Sequence, residues 1–112
     1  MSKKNSFKLK IKGIDWTVYL QSDSAYSRSH GTDSSAIMSP EDNEIFFKKS
    51  KIRPYLVRHE LFHAYISSCN TNSSNLTPDQ IEELCVEVYG DHGPEMALQC
   101  DQILNFLLKK DS

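Results

Sequence analysis

Cysteines are few in this 112-residue sequence, and long apolar runs are missing from it. The three cysteines, Cys69, Cys85 and Cys100, form no Cys-x-x-Cys pair, which favours reduced thiols and argues against a cysteine zinc cluster. No segment approaches the roughly 20 apolar residues that span a bilayer, and MSKKNSFKLKIK lacks the apolar core of a secretory signal. We therefore expect a cytoplasmic protein that has no membrane partner.

An excess of one charge is also missing, because 13 basic and 15 acidic residues give a formal net charge of -2. This balance provides no overall attraction to nucleic acid, and no helix-turn-helix segment is evident. A nucleic-acid partner is therefore disfavoured. The length and the hydrophobic content of 38% fit a single domain, residues 1–112, with a modest core.

Strand patterns dominate the first half of the sequence. FKLKIK and IDWTVYL both alternate apolar and polar residues, and Gly13 lies between them, which predicts a hairpin. SDSAYSRSHGTDSS shows no sustained period and is interpreted as a loop or a short helix. AIM and EIFFKK are two further strand candidates. These segments together predict a small, mostly antiparallel sheet.

Helical patterns dominate the second half. Pro54 suits the first turn of a helix that continues through YLVRHELFHAYIS, and the polar run SSCNTNSSN follows as a loop. Thr77 and Gln80 then form a capping box that starts a second helix, which Gly90 is expected to end. Gly93-Pro94 is expected to open a third. The predicted fold is α+β, with the sheet packed against one helix from the middle of the chain and two C-terminal helices.

The helix from the middle of the chain contains the sequence HELFH. Residues four apart lie on one face of a helix, so His59 and His63 can direct both imidazoles at one metal ion. Glu60 lies beside that face, where its carboxylate can act as general base on a zinc-bound water. The alternative is a surface helix whose histidines are spaced by four through chance alone.

A catalytic zinc requires a third protein ligand, and the acidic helix IEELCVEVYG offers three carboxylates. Glu83 and Glu87 share one face, so one can bind zinc while the other orients a ligand histidine. Glu82 lies about 100° around the helix from Glu83 and remains an alternative ligand. A third histidine is disfavoured, because the next one after His63 is His92.

The substrate's oxyanion also needs a hydrogen-bond donor beside the metal. The candidates are His30, Tyr65, Tyr89 and His92, which the sequence does not rank. A peptide substrate can be bound as an added strand at a sheet edge, which either AIM or EIFFKK could supply.

HELFHAY followed by ELCVEVYG resembles the gluzincin pattern of HExxH with a downstream acidic motif. The order of the segments is similar to that of ImmA/IrrE-like metallopeptidases and other small phage and bacterial zincins. The resemblance implies a minimal zincin fold with one zinc per chain. It also implies that Glu83 is the third ligand, Glu87 the acid behind it, and a protein the substrate.

These features favour a cytoplasmic zinc endopeptidase in which Glu60 activates the attacking water. The alternative is a catalytically weak or inactive zincin-fold module that acts through protein–protein contact. In either case the small size leaves little room for a deep cleft, so recognition is expected to depend on docking to a folded partner or on assembly.

Overall fold

The computed structural model describes residues 6–68 and 76–109, which form four strands and three α-helices. The strands and helices occur in the following order: β1 (Ser6–Ile11), β2 (Ile14–Gln21), α1 (Asp23–His30), β3 (Ala36–Ser39), β4 (Glu44–Lys48), α2 (Pro54–Ser67) and α3 (Pro78–Lys109). A short 3₁₀ turn, Lys49–Lys51, links β4 to α2. The predicted α+β class, with the sheet in the N-terminal half, is confirmed.

The four strands form one mixed sheet in the order β1-β2-β4-β3. β1 and β2 form the predicted hairpin, and its two turn residues, Lys12 and Gly13, have φ values of 52° and 82°. β4 runs parallel to β2 and antiparallel to β3. Two of the three strand pairs are therefore antiparallel, and β1 and β3 are the two edge strands.

The core lies between one face of the sheet and the helices α2 and α3. Trp16 and Val18 of β2 alternate with more exposed residues, and Ile45 and Phe47 of β4 are buried in the same way. α2 packs against α3 and also against β3. Phe46 points away from this core, where its ring stacks on Tyr19 and contacts His30 of α1.

Two predicted helix starts are confirmed by their local structure. Pro54 occupies the first turn of α2, where its missing N–H removes no hydrogen bond. At α3, the Thr77 N–H donates to Gln80 Oε1 at 2.9 Å, and the Gln80 N–H donates to Thr77 Oγ1 at 3.2 Å. These two reciprocal bonds are the predicted capping box.

The predicted helix break at Gly90 is wrong, because α3 continues from Pro78 to Lys109 with Pro94 inside it. One C-terminal helix follows α2 where two were expected. The physical reason is a continuous buried stripe on both sides of the expected break: Val88, Gly93, Met96, Gln99, Cys100, Ile103 and Leu107. Burial of this stripe offsets the local cost of glycine and proline in a helix.

α3 is the longest of the helices that the structure describes, but acidic residues recur along it. In residues 6–68 and 76–109, no helix combines the length and the hydropathy that a membrane-crossing segment requires. The predicted loop residue Cys69 lies outside the described residues, whereas Cys85 and Cys100 are free thiols.

Candidate functional site

The candidate site is built on α2, whose two sides differ in exposure. Val57, Leu61 and Ala64 form the buried stripe that holds α2 against the core. His59 and His63 lie on the exposed side of the same helix. Core packing therefore fixes the orientation of α2, and this orientation leaves both imidazoles accessible.

The two imidazoles converge on one point. The Nε2 atoms of His59 and His63 lie 3.2 Å apart, and the rings meet at an interplanar angle of 77°. Two nitrogens that each lie about 2.0–2.1 Å from a tetrahedral zinc are about 3.3 Å apart. The same separation suits a hydrogen bond between the two rings. The donor pair therefore fits two adjacent positions of a zinc site.

Glu60 lies between these histidines in sequence, but its side chain is only 8% exposed. Burial raises the pKa of its carboxyl group, while the neighbouring His63 and His59 oppose this rise. A carboxylate whose pKa moves toward neutrality exchanges protons more readily at physiological pH. Glu60 is thus suited to proton transfer beside the two histidines.

The predicted third ligand lies elsewhere in this structure. Glu83 and Glu87 line a shallow groove near the start of α3, together with Leu76 and Leu84. Glu82 is exposed on the same part of the helix. In the part of the chain that the structure describes, no three His, Cys, Asp or Glu side chains are grouped so that they could hold a metal ion. The assignments of Glu83, Glu82 and Glu87 stay predictions.

Two of the four candidate oxyanion donors lie together in the interface between α2 and α3. Tyr65 is fully buried, and its hydroxyl donates to Gln99 Oε1 at 2.7 Å. The ring of His92 lies 5.3 Å from that of Tyr65, and its Nδ1 is 3.4 Å from Glu95 Oε1. Burial raises the pKa of the Tyr65 hydroxyl, with Glu95 adding to the effect. These contacts favour a structural role for Tyr65.

The other two candidates, Tyr89 and His30, line two different pockets. Tyr89 is 68% exposed and lines a cavity together with His59. His30 packs between the rings of Tyr26 and Phe46, with ring centroids 4.8 and 4.6 Å away. Of the four candidates, Tyr89 shares its surroundings with a predicted zinc ligand.

The cavity between α2 and α3 was not predicted from the sequence. It has a volume of about 410 Å³ and is lined by aromatic, aliphatic and small residues beside His59 and Arg58. Gly93 and Ala97 lie four apart on α3 and leave space between the helices. Two small residues spaced by four on one helix are the sequence signal that could have predicted this cavity. The signal was missed because Gly93-Pro94 was expected to start a new helix, which would have left Gly93 and Ala97 on no common face of a continuous helix.

The sheet edge that could bind a peptide is β3, which contains the AIM segment. β3 pairs with β4 on one side, and no partner strand of the described residues lies on its other side. EIFFKK forms the interior strand β4, so the alternative edge strand is wrong. An extended peptide could add to β3 through main-chain hydrogen bonds.

Comparison with known proteins gives no assignment: no family model, no curated protein and no solved structure matches this chain. The resemblance to small zincins therefore depends on the motif residues alone.

Proposed function

We propose that this protein is a cytoplasmic zinc-dependent endopeptidase that hydrolyses peptide bonds of a protein substrate. The observation that carries the proposal is the 3.2 Å separation of the His59 and His63 Nε2 atoms beside the buried carboxylate of Glu60. The histidines would hold one zinc ion, with Glu83 as the third ligand, Glu82 as its alternative and Glu87 behind it. When bound, zinc lowers the pKa of water and polarises a carbonyl group.

Glu60 performs the proton transfers of the proposed reaction. Its carboxylate takes a proton from the attacking water as the water oxygen forms a bond to the peptide carbonyl carbon. It then gives that proton to the leaving nitrogen as the carbon–nitrogen bond breaks, so that the products are a carboxylic acid, which afterwards loses its own proton to solvent, and an amine. Burial raises the pKa of Glu60, which favours the first step because a more basic carboxylate takes a proton more readily.

Zinc analysis of the purified protein is the first test. We expect one zinc per chain in protein prepared without added metal, and loss of that zinc in His59→Ala and in His63→Ala. His92→Ala is the matched control, because His92 contacts Tyr65 and Glu95 rather than the histidine pair. Equal zinc content in all four proteins would overturn the proposed ligand pair.

Cleavage is tested with a peptide library produced from a digested proteome, in which new termini are identified by mass spectrometry. Glu60→Gln should retain zinc and lose cleavage by at least about a hundredfold, as is typical for a general base. Glu41→Gln, in an exposed turn, is the control. Cleavage that is unchanged in Glu60→Gln would contradict the mechanism.

The unpaired side of β3 favours the second candidate, a zincin-fold binding module with weak or no activity. Such a module would bind its partner equally well with Glu60→Gln. Met38→Pro would weaken binding, because the bond from the Lys48 N–H to the Ser35 carbonyl and the β3–β4 register place the Met38 N–H on the unpaired side of β3. Partner capture that survives Glu60→Gln without any cleavage would favour this module over the enzyme.

A further inference from the structure

The cavity between α2 and α3 lies directly beside the proposed metal ligands. His59 forms part of its wall, and Leu61, Met96 and Cys100 supply buried apolar surface. Its volume of about 410 Å³ lies within the range of about 300–1,000 Å³ that is typical of small-molecule sites. A group bound in this cavity would therefore lie against one of the two convergent imidazoles.

Two exposed tyrosines belong to the cavity wall. Tyr55 is 65% exposed and Tyr89 is 68% exposed, and the ring of Tyr55 lies 5.8 Å from that of His59. Exposed aromatic side chains beside an apolar cavity are typical of recognition sites, because their rings provide contact area at low entropic cost. A Cβ atom at Gly93 would lie 3.5 Å from the Tyr89 ring, so the ring rests against the helix backbone.

Arg58 adds one positive charge to the same wall. Its side chain is exposed, and it has no ion-pair partner within residues 6–68 and 76–109. A guanidinium group binds a carboxylate through two parallel hydrogen bonds. The cavity thus combines an apolar interior with a cation that can pair with an acidic group of the occupant.

We propose that this cavity binds a large apolar side chain of the peptide substrate, and that Arg58 pairs with an acidic residue next to it. The preferred substrates therefore contain an acidic residue beside phenylalanine, leucine or methionine, close to the bond that is cut. This specificity rests on the proposed peptidase function, but the binding itself requires neither zinc nor cleavage.

Methionine methyl groups provide a direct test of peptide binding. Met96 lines this cavity, whereas Met38 lines a separate groove beside β3. With carbon-13 in the methionine methyl groups, binding in the cavity should shift the NMR signal of Met96 and leave that of Met38 unchanged. The variant Met96→Leu assigns the signal. Glu60→Gln protein is used so that the peptide stays intact.

The probe is the capped peptide acetyl-Gly-Ser-Glu-Phe-Ser-Gly-amide. Replacement of its phenylalanine by alanine should weaken binding by about tenfold or more, as is typical when an apolar pocket loses a large group. Replacement of its glutamate by lysine should also weaken binding. A shift of Met38 alone would place the peptide at the sheet edge and overturn the proposal, as would equal affinities for the three peptides.

Protein variants test the same cavity from its wall. Ala97→Trp should fill the space and reduce affinity at least about tenfold, whereas Leu98→Trp, at an exposed neighbour outside the cavity, should leave it unchanged. Arg58→Gln should remove the preference for glutamate over lysine, and Arg53→Gln is its control. If Ala97→Trp does not fold, the proposal is tested by the affinities of the three peptides for the Glu60→Gln protein.

Failure of this proposal and failure of the peptidase function give different results. Unchanged affinity in Ala97→Trp and Arg58→Gln, together with zinc-dependent cleavage that requires Glu60, would reject the specificity and keep the enzyme. Selective Met96 shifts in a protein that binds no zinc would keep the peptide site and reject the enzyme. The Met96 signal could instead shift as the protein concentration is raised without any peptide, while sedimentation shows a dimer. That result would assign the cavity to a second copy of the chain and overturn the proposal.

Discussion

Tyr65 and Gln99 are joined by a buried hydrogen bond of 2.7 Å that links α2 to α3. The amide group of Gln99 also donates to the carbonyl oxygen of Lys10 at 2.6 Å, so the same side chain connects both helices to the edge strand β1. Gln99 is one of the two polar residues that are buried in the part of the chain that the structure describes. This connection holds the scaffold of the candidate site together.

Gln99→Leu should therefore destabilise the protein by about 1–3 kcal/mol, because it leaves the Lys10 carbonyl and the Tyr65 hydroxyl without this partner. Tyr65→Phe should cost about 1 kcal/mol, because only the hydroxyl is lost. Urea unfolding measures both values. If Tyr65 acts through structure alone, Tyr65→Phe should keep its rate of peptide cleavage under conditions where it is folded. A large fall in rate without a fall in stability would return Tyr65 to the oxyanion candidates.

Gly90 lies in the interior of α3, and a Cβ atom added there would meet no other atom within 4 Å. Gly90→Ala should stabilise the protein by about 0.5–1 kcal/mol, because alanine loses less conformational entropy in a helix. Gly13→Ala is the contrasting variant, since Gly13 has a φ of 82° and alanine would be strained there. Thermal unfolding checks both. Destabilisation by Gly90→Ala would indicate that the helix ends near this residue.

Local signals were sufficient to predict the hairpin and the capping box. Alternation with Gly13 predicted β1 and β2, and the spacing of Thr77 and Gln80 predicted the start of α3. The position of β4 between β2 and β3 was beyond such signals, because alternation reports which face a residue occupies and not which strand lies beside it. The continuity of α3 likewise depends on burial against α2.

The candidate site also has one part that local sequence signals predict and another part that depends on tertiary packing. Convergence of His59 and His63 follows from the 3.6-residue period once α2 is helical, so the sequence was sufficient to predict it. The third donor depends on how α3 lies relative to α2, which is a matter of tertiary packing. The cavity at Gly93 and Ala97 needed both helices to be known, since neither residue carries a chemical group that would single it out.

Asp23 connects α1 to the 3₁₀ turn that precedes α2. Its Oδ1 accepts a hydrogen bond from the Ser50 N–H at 3.1 Å. Hydrogen bonding to the Ser50 side chain, together with this backbone bond, holds the pKa of the carboxyl group below its usual value. A lowered folded-state pKa contributes stability above the unfolded pKa of about 3.9, and this contribution is lost as the pH falls through the folded value.

Asp23→Ala should therefore be less stable than the parent at pH 7, and this difference should shrink as the pH falls below about 4. Urea unfolding between neutral and acidic pH measures the difference. Asp33→Ala, in the loop that follows α1, is the control and should change stability little at either pH. A difference between parent and Asp23→Ala that stays constant across this range would show that the hydrogen bond does not stabilise the fold.

Glu83 is the predicted third zinc ligand, yet it lines a groove with Leu76 and Leu84 instead of joining the histidine pair. If the prediction is right, Glu83→Ala should lose zinc, and Glu82→Ala should retain it. Glu87→Ala should weaken zinc binding about 10- to 100-fold, as is typical when the acid behind a ligand is removed. Elemental analysis and a competitive zinc indicator measure these outcomes. Loss of zinc in Glu82→Ala with retention in Glu83→Ala would transfer the role to Glu82.

Zinc binding by His59, His63 and Glu83 would also require the first turns of α3 to approach α2. The described residues contain no three-donor group, so added zinc should change hydrogen exchange at the backbone amides of residues 79–88. The Thr77–Gln80 capping box gives this segment a defined start, and Gly90 lies two residues beyond its end. His59→Ala should abolish the effect. Stoichiometric zinc without any change in this segment would mean that the third ligand comes from another part of the chain.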